Sequence, residues 1–183
     1  MYDYSRRVVA EAMRLLYERG LVSAFSGNVS VRVGSAVVIT PSGLHRARLG
    51  SGDVVVIGLD GRRIWGSRRP SSEWRMHTAI YRVRSDVGAV VHAHPVNLVS
   101  LTMRGRELRG PLELDVFFGG RLPLVEELPP GSGELASRVA EELGSGRAVI
   151  LRSHGAVTVG RDVWEAEGLM EALEEAARMI ACP

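Results

Sequence analysis

Short apolar strands separated by tight-turn residues are the feature that most constrains the fold of this chain. VSVRV and AVVIT flank a predicted hairpin at residues 34–35, and DVVVIG and RRIW flank a second one at residues 60–61. DVGAVVHAH is predicted as a largely apolar strand, and RAVILRSHGAVTVG as two buried strands bent at residues 154–155. Because strands joined by tight hairpins pair in antiparallel fashion, this pattern does not fit a simple doubly wound parallel sheet.

Helical periodicity predicts helices before, between and after these strands. In the first segment the apolar positions Val8, Val9, Ala12, Leu15 and Leu16 recur at helical spacing. No internal repeat, low-complexity tract or linker interrupts the chain, so we expect one α/β domain over residues 1–183. The predicted helices cover residues 3–19, 72–84, 97–104, 133–144 and 164–180.

The composition is typical of a soluble globular protein. Of the 183 residues, 45% are hydrophobic and 24% are charged, and no apolar run approaches the roughly 20 residues that cross a bilayer. The first residues are charged and amphipathic and carry no secretory signature. The single cysteine, Cys182, allows no internal disulfide, so we expect a protein of the reducing cytoplasm.

The basic residues limit the chemistry that this chain can perform. All 23 of them are arginines, and the chain has neither lysine nor glutamine. A mechanism through a lysine Schiff base is therefore excluded. The net charge of +2 and the scattered arginines are a poor match to nucleic acid but compatible with an anionic small substrate. An all-arginine cation set would also suit a hot-growing organism or a GC-rich genome.

His92 and His94 end a hydrophobic strand and indicate a metal site. Side chains two residues apart in a strand point to the same face. Two buried imidazoles are costly when charged and hard to satisfy when neutral, and a shared divalent cation resolves both problems. His154, which follows another apolar strand, is either a third ligand or a hydrogen-bonded turn residue. His45 and His77 fit surface or helix-face positions better than ligand positions.

PSSEWRMH, at residues 70–77, begins the second predicted helix and leaves two interpretations open for Glu73. This glutamate is either a solvated first-turn carboxylate that complements the helix dipole, with Ser71 or Ser72 as N-cap, or a group placed for chemistry. Three short loops could also hold an anion: residues 26–28, residues 41–43, and the segment with Ser71 and Ser72. Each is an ordinary turn when taken alone.

The ordered motifs SGNVSVR, ITPSG, RPSSEWRMHTAIYR, AVVHAHP and SHG together resemble the class II, zinc-dependent aldolase family that contains L-fuculose-1-phosphate aldolase. The resemblance runs from about residue 20 to the last helix. It implies a single α/β domain with a central, mainly antiparallel sheet flanked by helices. It also implies a homotetramer of C4 symmetry with active sites shared between neighbouring subunits.

The resemblance assigns roles to individual positions. His92, His94 and His154 match the zinc-ligating histidines of the family, with one zinc ion per subunit. Glu73 matches the catalytic glutamate, which also approaches the metal when substrate is absent. The positions that match the family's substrate phosphate site are Asn28, Ser42, Gly43, Ser71 and Ser72.

The implied reaction is reversible cleavage of a phosphorylated ketose, such as L-fuculose 1-phosphate, into dihydroxyacetone phosphate and an aldehyde. Zinc would stabilise the enediolate as a Lewis acid, and Glu73 would transfer the proton. Methylthioribulose-1-phosphate dehydratases, which keep a glutamate at this position, are the enzymatic alternative. Ribulose-5-phosphate 4-epimerases usually have aspartate there, which argues against that activity. A non-catalytic adducin-like module would have lost the metal site, whereas this chain keeps the three histidines.

The chain departs from the family pattern near the aldehyde site. Related aldolases carry a tyrosine after the metal-binding strand as a proton donor, but GPLELDVFFGG has none, so Glu113, Asp115 or a water would have to serve. The sequence also ends at Pro183, without the C-terminal tail that supplies another tyrosine in longer members. These departures bear on the aldehyde partner and the stereochemistry more than on the metal site.

Overall fold

The computed structural model of the protein describes residues 2–106, 108–120 and 122–181, so Cys182 and Pro183 lie outside the described residues. The strands are β1 (Asn28–Val33), β2 (Ala36–Ile39), β3 (Val55–Gly58), β4 (Arg63–Trp65), β5 (Ala89–Ala93), β6 (Leu124–Val125), β7 (Ala148–Leu151) and β8 (Gly155–Gly160). The helices are α1 (Asp3–Glu18), α2 (Trp74–Val83), α3 (Val96–Met103), α4 (Leu112–Phe118), α5 (Gly133–Leu143) and α6 (Val163–Ala181).

The strands form one eight-stranded sheet in the order β4-β3-β2-β1-β5-β8-β7-β6. Each neighbouring pair is antiparallel except β6 and β7, which run parallel. The predicted central, mainly antiparallel sheet is therefore confirmed. The two hairpins β1–β2 and β3–β4 build one half of the sheet, and β5 joins that half to the β7–β8 hairpin.

Both faces of the sheet are covered by helices because alternate strand residues are apolar on each side. In β5, Val91 faces the core that α1 and α6 cover, whereas Val90 faces the core that α2 and α5 cover. α2 and α5 also pack against each other on that second face. His92 is two residues after Val90 and is therefore on the α2 side of the sheet.

α6 closes the first core along its full length. Leu169 and Leu173 are buried in it, and Ile180 packs against it at the end of the helix. All three side chains therefore pack within the subunit. No helix within the described ranges is long and apolar enough to span a membrane.

Three elements differ from what the sequence predicts. The second helix begins at Trp74, two residues later than expected, because Ser71 and Ser72 belong to the loop that leads into it. α4 and β6 were not predicted: α4 has only seven residues and β6 only two, too few for a period to show. Gly119, at the end of α4, has φ 67° and terminates this helix in the left-handed conformation.

Candidate active site

Strand register places His92 at the centre of the molecule. β1 and β5 pair so that Asn28 lies opposite His92 and Ser30 opposite Val90. On the other side, His92 lies opposite Val157 of β8. The His92 side chain is fully buried, and it points toward the start of α2, as the alternation along β5 requires.

His94 and His154 approach His92 from the two segments that leave the sheet beside it. His94 follows β5 directly, and its backbone N–H donates to the Leu21 carbonyl. His154 lies in the turn between β7 and β8, which comes close to β5. A Cβ on Gly155 would lie 2.1 Å from the Ala93 carbonyl oxygen, so only glycine fits at this crossing. Ring centroids of the three histidines are 4.8–4.9 Å apart.

The ligand atoms of Glu73, His92, His94 and His154 all lie within 4.8 Å of one another. His92 Nε2 is 3.0 Å from Glu73 Oε2 and 3.0 Å from His94 Nε2, and His154 Nε2 is 3.9 Å from Glu73 Oε1. Donors about 2.1 Å from a common tetrahedral centre would be about 3.4 Å apart. The observed donor–donor distances, 3.0 and 3.9 Å, lie below and above this tetrahedral spacing.

Hydrogen bonding also fits a cation at this cluster. His92 Nδ1 is 2.9 Å from the Ala156 carbonyl, so Nδ1 carries a hydrogen and Nε2 is the nitrogen directed at the cluster. Glu73 Oε1 is buried, with no hydrogen-bond partner among the described residues. Imidazole and carboxylate are donors that zinc and several other divalent ions accept. The residues present therefore fit the metal that the sequence predicts, without specifying which metal.

The protonation states of His94, His154 and Glu73 are those that metal ligation needs. Burial, with repulsion from His92, lowers the pKa of His94 to about 3 and that of His154 to about 4. Burial also disfavours a charged His92, but attraction to Glu73 and the hydrogen bond that His92 Nε2 donates to Glu73 outweigh burial and raise the pKa of His92. Burial opposes ionisation of Glu73, yet the same attraction and the Asn28 hydrogen bond hold its pKa well below the usual range. At neutral pH, His94 and His154 are neutral and Glu73 is ionised.

Glu73 is not a solvated first-turn carboxylate. It occupies the N-cap position of α2 without capping the helix through its side chain, and that side chain is buried and turned toward the sheet. Ser71 Oγ accepts a hydrogen bond from the Glu73 N–H at 3.3 Å. Asn28 Nδ2 donates to Glu73 Oε2 at 2.9 Å. Asn28 thus holds the carboxylate, and Ser71 holds the backbone of the same residue.

The structure brings the predicted phosphate-binding positions to the same end of the sheet. The Ser71 N–H donates to the Thr40 carbonyl and the Ser42 N–H to the Arg69 carbonyl, which joins residues 40–42 to residues 69–71. Ser72 and Gly43 are exposed on these two loops, whereas Ser71 is buried. Asn28 differs from the other four, since its amide contacts Glu73 and His77.

Arg46 is a residue near this site that the sequence did not indicate. It is buried, and its guanidinium donates to the backbone carbonyls of Phe25, Ser26, Gly27 and Pro41 at 2.8–3.1 Å. One side chain therefore holds two of the three predicted anion-binding loops together. Its place in HRAR, among exposed arginines, gave no signal of burial.

His45 and His77 lie in different environments. His45 is partly exposed, and its Nδ1 accepts a hydrogen bond from the Ala47 N–H at the start of a short 3₁₀ turn, as a non-ligand surface residue would. His77 is fully buried on the face of α2 that packs against β1, so the expected helix-face position is found and the expected surface position is not. The spacing 73, 77, 81 was the available signal, because residues four apart share a helix face.

Comparison with known proteins places the chain in a family. A model of the family described as "Class II Aldolase and Adducin N-terminal domain" matches residues 7–181. This match covers nearly the whole chain, and the protein therefore belongs to the class II aldolase family, as the sequence motifs predicted.

Individual relatives agree with this membership. The L-fuculose phosphate aldolase of Methanococcus maripaludis is 36% identical over 166 residues, covering 91% of this chain and 90% of the relative. A 5-methylthioribulose-1-phosphate/5-deoxyribulose-1-phosphate aldolase of Rhodospirillum rubrum is 36% identical, covering 94% and 78%. A methylthioribulose-1-phosphate dehydratase of Marinobacter nauticus is 35% identical, covering 95% and 93%.

A solved structure shares the fold as well. The L-fuculose-1-phosphate aldolase of Thermus thermophilus superposes with a TM-score of 0.85 and 34% sequence identity, covering 97% of this chain and 93% of that one. The curated relatives are named as aldolases and a dehydratase, all of which are lyases. The prediction of an enzyme of the lyase class is confirmed.

Proposed function

We propose that this protein is a metal-dependent aldolase that reversibly cleaves a ketose 1-phosphate into dihydroxyacetone phosphate and an aldehyde. One observation carries the proposal: an ionised, buried Glu73 lies within ligand distance of three histidines, beside loops suited to an anion. The absence of lysine agrees with it, because the electron sink cannot be an iminium. L-fuculose 1-phosphate is the substrate class to test first, since two of the relatives described above bear that name.

His92, His94 and His154 would hold the cation, with Glu73 as a further ligand before substrate binds. We keep zinc as the first candidate because a three-histidine set with an open position is typical of catalytic zinc. When bound, a divalent cation supplies Lewis-acid stabilisation for negative charge that develops on a carbonyl oxygen.

Glu73 is the proton-transferring group in this proposal. Its Oε2 is hydrogen-bonded to Asn28, which leaves the buried Oε1 as the atom that accepts a proton. In the condensation direction Oε1 takes a proton from the hydroxymethyl carbon of dihydroxyacetone phosphate. As the carbon–carbon bond forms, the aldehyde oxygen becomes an alkoxide, and Glu73 passes one proton to it through a water, which regenerates the carboxylate. In the cleavage direction the hydroxyl next to the breaking bond gives its proton to Glu73 by the same route, and Glu73 then delivers a proton to the carbon.

The phosphate group would bind between residues 41–43 and residues 71–72. Ser72 and Gly43 are exposed there, and Ser71 and Ser42 extend the same two loops. Arg46 supports the proposal because it adds a buried positive charge next to these loops. A phosphate bound at this place would be adjacent to Glu73, which follows Ser72 in the chain.

Dehydration of methylthioribulose 1-phosphate is the second candidate, favoured by the relative from Marinobacter nauticus. The same base and metal serve both reactions, since each begins by removing a proton next to a carbonyl. The products differ: the dehydratase releases water and keeps the carbon chain whole, whereas the aldolase releases dihydroxyacetone phosphate.

The test is to incubate the metal-loaded protein with dihydroxyacetone phosphate and a panel of aldehydes, and to identify the products and their stereochemistry. A parallel sample receives methylthioribulose 1-phosphate. We expect ketose 1-phosphate to form in the first sample and to disappear after chelation of the metal. Loss of water in the second sample without carbon–carbon bond formation in the first would favour the dehydratase.

We also propose a homotetramer with active sites at subunit interfaces. Exposed apolar side chains support it: Val96 and Met103 on α3 line a groove with His94, Val116 lies on α4, and each is about two-thirds exposed. Sedimentation should show a species near four chains. A stable monomer with full activity would rule out a shared site.

A further inference from the structure

A continuous chain of buried hydrogen bonds runs from the sheet to Glu73, and the mechanism above uses only its last bond, from Asn28 to Glu73. Glu73 Oε2 accepts from Asn28 Nδ2 at 2.9 Å, and Asn28 Oδ1 is 2.5 Å from His77 Nε2. His77 Nδ1 is 2.7 Å from Ser30 Oγ, which is 2.9 Å from the Tyr81 hydroxyl. None of these five side chains is more than 6% exposed.

The direction of every bond in this chain follows from its two ends. An ionised Glu73 only accepts, so the Asn28 atom that faces it is the amide nitrogen. The Asn28 oxygen then faces His77 Nε2, and this nitrogen must carry the ring hydrogen. His77 Nδ1 is left with its lone pair and accepts from the Ser30 hydroxyl.

The contacts of Tyr81, at the end of the chain farthest from Glu73, agree with the same direction of donation. The Tyr81 hydroxyl lies 3.1 Å from the Ser30 carbonyl oxygen and 2.9 Å from Ser30 Oγ, which are both acceptors once the Ser30 hydrogen points to His77. Every hydrogen therefore points toward Glu73. Burial lowers the pKa of His77 to about 3, so the ring stays neutral and keeps one donor and one acceptor.

Register and helix spacing build this chain from separate parts of the sequence. Asn28 and Ser30 are two residues apart in β1 and share the face that α2 covers. Glu73, His77 and Tyr81 are spaced four residues apart along α2 and share the face that covers β1. The two rows interlock, so that each polar side chain of β1 contacts two of the row on α2.

From these contacts we propose that His77 is a positioning residue for proton transfer. Through its Nε2–H it fixes the amide of Asn28, and Asn28 in turn holds Glu73 Oε2, so that Oε1 stays on the side of His154. The inference rests on the proposed function for the role of Glu73. It assigns Asn28 to the base rather than primarily to the phosphate.

Two substitutions at His77 separate positioning from simple core packing. His77→Phe keeps a ring in the cavity but removes both nitrogens. His77→Gln keeps an N–H toward Asn28 and an acceptor toward Ser30. We expect His77→Phe to slow exchange of the dihydroxyacetone phosphate C–H with deuterated water by about 10–100-fold, the range for a group that orients a ligand, with little change in KM. His77→Gln should recover most of that rate, whereas equal losses in both variants would contradict the proposal.

A double-mutant cycle with Glu73→Gln provides the second test. If His77 acts through Glu73, His77→Phe should cause no further loss of exchange in the Glu73→Gln background. If instead it damages the fold independently, the two losses in rate should multiply, and the positioning role would be wrong. Ser30→Ala removes the donor to His77 Nδ1 and leaves the Tyr81 hydroxyl its bond to the Ser30 carbonyl, and it replaces His77→Phe if that variant does not fold.

Two readouts do not depend on catalysis. Nitrogen-15 NMR of the zinc-loaded protein should show His77 with a protonated Nε2 and an unprotonated Nδ1, and the opposite tautomer would overturn the chain. Cobalt affinity, measured by chelator competition, should fall about 10–100-fold in His77→Phe and recover in His77→Gln. Absence of exchange by the wild-type protein would contradict the proposed function, while the tautomer and the cobalt affinities would still decide the role of His77.

Discussion

Replacing Glu73 with glutamine is the sharpest perturbation of the proposed chemistry. The substitution preserves size, and its amide oxygen can take the place of Oε2, where it still accepts from Asn28 Nδ2. The amide NH₂ group then takes the place of Oε1, near His154. The variant therefore keeps its packing and its hydrogen bond but has no atom that can accept a proton.

The expected loss follows from that single change. A positioned general base contributes about 10²–10⁴-fold to a rate, which is about 3–5 kcal/mol in activation free energy. We expect exchange of the dihydroxyacetone phosphate C–H with deuterated water to slow by that factor in Glu73→Gln. This assay reports proton removal directly and needs no aldehyde, so it does not depend on the unknown second substrate.

A matched control is the same chemical change at Glu141, which is exposed on α5 and pairs with Arg138 on the same helix. Glu141→Gln should exchange at the wild-type rate. Metal content of both variants is measured in parallel, because Glu73 is also a candidate ligand. Undiminished exchange in metal-loaded Glu73→Gln would refute the assignment of the base.

Three further predictions concern the metal, the phosphate and the stability of the fold. His92→Ala should lose the bound divalent cation and the activity together, because a three-histidine site rarely tolerates loss of one ligand. Full metal content of this variant by elemental analysis would show the ligand set to be wrong. Ser72→Ala should raise the KM for dihydroxyacetone phosphate about tenfold, the effect of one hydrogen bond to a charged group, and an unchanged inhibition constant for inorganic phosphate would contradict that contact. Burial, with repulsion from Glu171, raises the pKa of Glu167 from 4.5 to about 7. The folded protein therefore binds more protons than the unfolded chain between these pH values, and its free energy of unfolding should fall as pH rises through this window, by at most about 3 kcal/mol. Glu167→Gln should flatten this dependence in denaturant titrations at several pH values, and an unchanged slope would assign it to another group.

Much of the site was predictable from local pattern. His92 and His94 are two residues apart at the end of an apolar strand, and alternation alone places them on one face. The motif order added His154 and Glu73, which no local rule connects. For Glu73 the local rules favoured an ordinary helix start, and the burial of its side chain is what excludes that interpretation.

His77 and Arg46 were missed for different physical reasons. A polar residue in an amphipathic helix normally faces water, and the prediction for His77 followed that rule, but the polar side chains of β1 lie opposite it and satisfy both ring nitrogens. Arg46 has no acidic partner in its neighbourhood of the sequence that would signal burial. Its guanidinium donates instead to backbone carbonyls of loops up to 21 residues away.

The sequence by itself determined the local features of this protein: where strands alternate, where turns break them, and which residues of one strand or helix share a face. These depend on backbone geometry and side-chain size within a few residues. The tertiary structure alone decided which faces meet. Asn28 contacts Glu73 across 45 residues and His77 across 49, because β1 pairs with β5 in one register and α2 packs over both strands. A shift of one residue in that register would turn Asn28 and Ser30 to the opposite face of the sheet, and the carboxylate would lose its support.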